Sequence, residues 1–155
     1  MTGQARRVVI LMAEDDPDDR LLAQEALEES RVINELHVVE DGQELMDYLC
    51  GRGDFADATT HPYPGLILLD LNMPRMDGRE ALQEIKADPR LRRIPVVVLT
   101  TSKSEEDLVR SYDLGASSYI TKPVTFEGLV AVMKGLGQYW IEIVELPPEA
   151  QRGAD

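Results

Sequence analysis

Cysteine is almost missing from this sequence: Cys50 is the only one in 155 residues. A single thiol cannot close an intramolecular disulfide. That excludes a secreted disulfide scaffold and fits a reducing compartment, the cytoplasm. Basic residues are also in short supply, with 16 Lys and Arg against 29 Asp and Glu and a formal charge of −13. A body this acidic repels phosphate backbones and anionic lipid, so neither nucleic acid nor a membrane surface is an expected partner. Long apolar runs are missing too. The one nearest the start, Val8 to Ala13, ends in acid after six residues, too short for a signal-peptide core or a membrane span. What remains, 43% hydrophobic and 29% charged, is the composition of a globular chain of one domain's length.

Val8-Val9-Ile10-Leu11-Met12 is wholly apolar and rich in β-branched residues, the pattern of a strand buried on both faces of a parallel sheet. Further strands are expected at Leu36–Val39, Leu66–Leu69, Pro95–Leu99 and, more weakly, Ser118–Thr121. Helical spacing fills the gaps. Asp16-Pro17-Asp18-Asp19 is a start signal, with an N-cap, a proline at the first helical position and acids in the first turn. Leu22/Ala26 and Ala23/Leu27 follow it at i,i+4. Leu45/Leu49, Ala81/Leu82/Ile85 and Leu108/Tyr112 mark three more helices, and Phe126, Leu129, Met133, Leu136 and Trp140 mark the last. Five strand-like runs alternating with five helical ones predict an α/β, doubly wound parallel sheet with helices on both faces. Residues 1–7 read as an N-terminal extension, 8–146 as the domain with an extended C-terminal helix and arm, and 147–155 as a disordered tail. Gly51–Gly65 reads as a loop.

In an open α/β sheet, ligands bind beyond the carboxyl ends of the strands. The first strand delivers Glu14, Asp15 and Asp16 there, the third Asp70, the fourth Thr100 and Thr101, and the fifth Lys122 followed by Pro123. Gathered carboxylates repel unless a cation joins them. Mg²⁺ suits such oxygen ligands and leaves room for phosphate oxygens. An arriving phosphoryl group would meet Asp70 as nucleophile, with Lys122 and the Thr100 hydroxyl on its remaining oxygens.

Taken together, Glu14-Asp15, Asp70 within LLDLNMP, Asp77-Gly78, Thr100, Tyr119 and Lys122-Pro123 resemble the receiver domain of two-component response regulators, the chemotaxis-receiver-like fold, over roughly residues 8–137. The resemblance implies a flavodoxin-like sheet of strand order 2-1-3-4-5 with five helices. It implies that Asp70 accepts a phosphoryl group from a histidine kinase in a Mg²⁺-dependent reaction, the metal held by Glu14, Asp15, Asp70 and the backbone carbonyl of Asn72. Lys122 would contact the phosphoryl group, Thr100 and Tyr119 would form a switch pair, and the Lys122–Pro123 bond would be cis. The signal would emerge at the face made by the fourth helix, fifth strand and fifth helix. Such a protein is no enzyme in the ordinary sense: it catalyses its own phosphorylation and loses the group slowly, the more so with Thr101 where many receivers carry a smaller residue. The long loop and the ending Tyr-Trp-Ile-Glu-Ile-Val-Glu-Leu-Pro are similar to single-domain regulators that partner phytochrome-type kinases.

Two other functions fit parts of this pattern. Aspartate-nucleophile phosphohydrolases also use a strand-end Asp with Mg²⁺, but they need a second acid two residues on, where Asn72 stands. A phosphorylation-independent interaction module would have no need of Asp70 and Lys122 together. Taken alone, Glu14-Asp15-Asp16 is a solvated helix cap, Lys122 a surface lysine and Tyr119 a half-buried sheet aromatic. His37 and His61 lack a second ligand at metal spacing, and Arg90, Arg92 and Arg93 suit a helix end. Trp140, Ile141, Ile143, Val144 and Leu146 carry apolar character past the length that covers a strand. They predict a homodimer through the final helix and this extension.

Overall fold

In the computed structural model the described residues are 8–30, 34–71, 73, 76, 78–100, 115, 116, 118–121 and 125–139. They form β1 (Val8–Ala13), α1 (Pro17–Ser30), β2 (Asn34–Val39), α2 (Gly42–Cys50), β3 (Leu66–Asp70), α3 (Gly78–Ala87), β4 (Val96–Thr100), β5 (Ser118–Thr121) and α4 (Phe126–Tyr139). The five strands make one parallel sheet in the order β2-β1-β3-β4-β5, the flavodoxin-like order. The helix expected around Leu108 and Tyr112 lies outside the described residues, as do the extension past Tyr139 and both termini.

The inner strands are apolar throughout because both of their faces are covered. Every residue of β3 and β4 is buried. Alternation then sorts the side chains into two layers. Leu11, Ala13, Ile67, Leu69, Val96 and Val98 pack with residues of α2 and α3. Ile10, Met12, Leu66, Leu68, Val97 and Leu99 pack with α1 and with Met133 of α4.

Helix α1 starts as its sequence predicts. Asp16 Oδ1 accepts the backbone N–H of Asp18 at 2.9 Å and of Asp19 at 3.4 Å, and Pro17 opens the helix. Three of the four expected positions are buried. Ala23, Ala26 and Leu27 are buried, whereas Leu22 is 42% exposed and Leu21 54%. On α4 the expected stripe is likewise trimmed: Met133 is buried, but Phe126 at the helix start is 38% exposed.

The segment 51–65 is more ordered than its polar composition predicts. Gly51 ends α2 in the left-handed region (φ 67°), where a side chain would be strained. A short 3-10 turn follows at Gly53–Phe55. Phe55 and His61 then pack around Tyr48 of α2, with ring centroids 5.4 and 5.6 Å from it. The Tyr48 hydroxyl donates to the Pro62 carbonyl at 2.8 Å, and Tyr63 donates to the Arg90 carbonyl at 2.8 Å. His37 on β2 pairs with Glu35 at 2.8 Å, and its ring centroid lies 6.4 Å from that of His61. Arg90 pairs with Asp88 in the turn after α3, as a helix-end surface would.

Burial, aided by the Glu35 charge, pushes the Tyr48 hydroxyl up to about 12 from 10.0. The folded state therefore holds this proton more tightly than the unfolded chain does. Its contribution to stability is complete below pH 10 and is lost between pH 10 and about 12. An ultraviolet titration should show at least one of the five tyrosines ionising far later than an exposed one, since burial raises Tyr63 as well as Tyr48. Ionisation of all five near pH 10 would contradict the packed loop.

Candidate functional site

The sheet register brings the acids together. Ala13 is level with Leu69, and Asp70 is level with Leu99. Glu14 and Asp15 therefore leave β1 beside Asp70, the last residue of β3. Thr100 ends β4 one residue past Leu99, opposite Thr121 at the end of β5. Carboxylate oxygens of Glu14, Asp15 and Asp70 all lie within 4.8 Å of one another. Glu14 (1% exposed), Asp70 (3%) and Thr100 (0%) are buried, while Asp15 is exposed. The cluster thus has two walls inside the protein and one ligand facing solvent.

Three carboxylates this close repel strongly where water is scarce. Part of the answer is local. The Asp16 N–H donates to Glu14 Oε2 at 3.2 Å. Arg20 Nη1 donates to the carbonyls of Glu14 at 3.0 Å and Asp15 at 3.3 Å. Arg20 was not among the expected site residues. Its signal was present, however: it is the single base among eight acids in residues 14–29. An all-oxygen donor set, partly buried and open on one side, fits a hard divalent cation with water or phosphate oxygens in its free positions.

Behind this cluster a pocket of about 70 Å³ opens between the sheet, α1 and α4, lined by Met12, Glu14, Leu22 and Met133 among others. In front of it, the segment leaving β3 is pinned at three backbone points. Leu71 N–H donates to Leu99 O at 3.3 Å, Gly78 N–H to Leu71 O at 2.9 Å, and Gly42 N–H to Met76 O at 2.9 Å. A Cβ on Gly78 would stand 2.6 Å from the Asp70 carbonyl oxygen, so the expected Asp77-Gly78 step needs glycine for close approach. Asn72, Asp77, Thr101, Lys122 and Pro123 lie outside the described residues, as does the side chain of Tyr119.

A family model, the response regulator receiver domain, matches residues 10–134. The chain belongs to the response regulator receiver family. Its relatives include Response regulator Rcp1 of Synechocystis, 45% identical over 139 residues that cover 90% of this chain and 92% of Rcp1. Among solved structures, the phosphorylated cyanobacterial phytochrome response regulator RcpA superposes with a TM-score of 0.79 at 48% identity. That match covers 91% of this chain and 99% of RcpA. The Mn²⁺-bound form of Rcp1 superposes with a TM-score of 0.76 at 45% identity, covering 90% and 99%. The chain is thus a receiver of the two-component signalling type, related to phytochrome response regulators.

Proposed function

We propose that this receiver takes a phosphoryl group from a histidine kinase of phytochrome type onto Asp70. The observation that carries this reading is the convergence of Glu14, Asp15 and Asp70 at one sheet edge, with buried Thr100 on the next strand. The Mn²⁺-bound relative and the all-oxygen donor set support a divalent ion there, for which Mg²⁺ is the proposed occupant, with the Asn72 carbonyl as a further ligand. When bound, the ion supplies positive charge that lets phosphoryl oxygens approach three carboxylates.

The protein's own groups do the rest. A carboxylate oxygen of Asp70 attacks phosphorus as the P–N bond of the kinase phosphohistidine breaks, and that bond's electrons return to the imidazole. The Thr100 hydroxyl donates to one phosphoryl oxygen, and the Lys122 ammonium takes another. Movement of Thr100 toward the new anion, with Tyr119 turning into the space it leaves, would carry the signal to the face around β5 and α4. No helix among the described residues is long and apolar enough to cross a membrane. The proposed location is the cytoplasm.

Incubation with acetyl phosphate and Mg²⁺ should add one phosphoryl group by intact mass, and EDTA should prevent it. An unlabelled protein would refute the reading. The label should persist once the donor is removed; a half-life of seconds would end the proposed slow loss. The homodimer through the final helix and extension is part of the same proposal, and sedimentation at tens of micromolar tests it. A monomer mass both with and without acetyl phosphate would remove it.

A further inference from the structure

We infer that Gly42, at the start of α2, is a positioning residue for the segment that directly follows the phosphoacceptor. The inference rests on the proposed metal-dependent role of Asp70. Gly42 is the first residue of α2, behind the N-cap Asp41, so its N–H has no acceptor within the helix. It finds one outside: the Met76 carbonyl, at 2.9 Å. The approach leaves no room for a side chain. A Cβ at Gly42 would collide with the Met76 carbonyl oxygen and stand 2.8 Å from both the carbonyl carbon and the Cβ of Met76.

The turn that holds Gly42 is itself fixed. Asp41 Oδ1 accepts the Glu44 N–H at 2.8 Å, and Glu44 Oε1 accepts the Glu40 N–H at 2.8 Å. This reciprocal arrangement is a capping box shifted by one residue on its return arm. With Asp41 buried, the turn resists being pushed aside. Any atom added at Gly42 must therefore displace Met76. Met76 belongs to the stretch closed at its neck by the Gly78 N–H to Leu71 O bond, and Asn72 lies within that stretch in sequence. Displacement at Met76 would thus be felt at Leu71 and at Asp70 beside it, against whose backbone Gly78 is closely packed.

Alanine is a better helix former than glycine, so without the collision Gly42→Ala would stabilise α2. With it, the variant should bind Mg²⁺ about tenfold or more weakly, the usual scale for disturbing residues that orient metal ligands. Titration calorimetry measures this on the full chain. The comparison is Tyr48→Phe, which loses the Pro62 bond at the far end of α2 and should lower the melting temperature while leaving Mg²⁺ affinity unchanged. Wild-type affinity in Gly42→Ala, or an equal loss in Tyr48→Phe, would overturn the inference. A wild-type chain that binds no Mg²⁺ would instead overturn the metal-site reading, and the inference with it.

If Gly42→Ala does not fold, amide exchange in the wild type decides. Mg²⁺ should slow exchange of the Gly42 N–H several-fold through its tie to Met76. An unchanged rate there, with Mg²⁺ bound, would overturn the inference.

Discussion

Asp70→Asn is expected to take up no phosphoryl label from acetyl phosphate or from a kinase in Mg²⁺, while keeping its fold. The substitution preserves the shape of a side chain that is 3% exposed, so packing around the end of β3 should survive. Only the chemistry changes: an amide oxygen is a poor nucleophile toward phosphorus, and the acyl phosphate cannot form. The same variant tests the electrostatics. It removes one of three carboxylates whose oxygens lie within 4.8 Å of one another, so the metal-free protein should gain stability, on the order of 1 kcal/mol. The stabilisation expected from the proposed Mg²⁺ in the wild type, about 2.7 kcal/mol at a hundred times its dissociation constant, should shrink. Undiminished labelling of the Asn variant would refute Asp70 as acceptor, and an unchanged Mg²⁺ response would refute its place in the metal site.

Leu68→Ala should be among the costliest single truncations in the sheet. Leu68 lies in the middle of β3, is fully buried, and is level with Met12 on β1 and Val97 on β4. It packs in the layer that also holds Ala26, Leu27 and Met133. Truncation of such a leucine leaves a cavity and costs about 2–5 kcal/mol, against roughly 5–15 kcal/mol for a whole domain. Urea denaturation should read this as a large fall in midpoint. Leu21→Ala, on the open face of α1 and 54% exposed in the parent, should stay within about 0.5 kcal/mol. Equal effects at the two positions would mean that the core does not lie where the strand alternation puts it.

The sheet was legible because inner parallel strands must be apolar on both faces, so Leu66–Leu69 and Val96–Leu99 announce themselves by composition. Asp70 was legible for the complementary reason: a carboxylate directly after such a run falls at the carboxyl edge. Other features depend on contacts that a single stretch of sequence does not carry. Glu14 and Asp15 are chain neighbours, yet one is buried and the other exposed. On α1 the i,i+4 pairs located Ala23, Ala26 and Leu27 on the buried face, but the pattern alone did not show that Leu22 would stay 42% exposed. Phe55 and His61 find Tyr48 only because segment 51–65 folds back over α2. The partner of Gly42 comes from a segment well over twenty residues away, so nothing beside Gly42 in the sequence points to Met76.

The sheet order also says when the site comes into being. β1 pairs early in the sequence with β2, but its other neighbour is β3, and Ala13 meets Leu69 only after α1, β2, α2 and the long loop have been bridged. Contacts between such distant segments carry a large closure entropy and slow a folding reaction. The carboxylates of β1 and β3 are therefore separate chemical groups until the two central strands have docked. If that docking follows the folding barrier, a divalent ion has no complete site to grip on the way up. It would then leave the refolding rate nearly unchanged and act mainly by slowing escape from the native state.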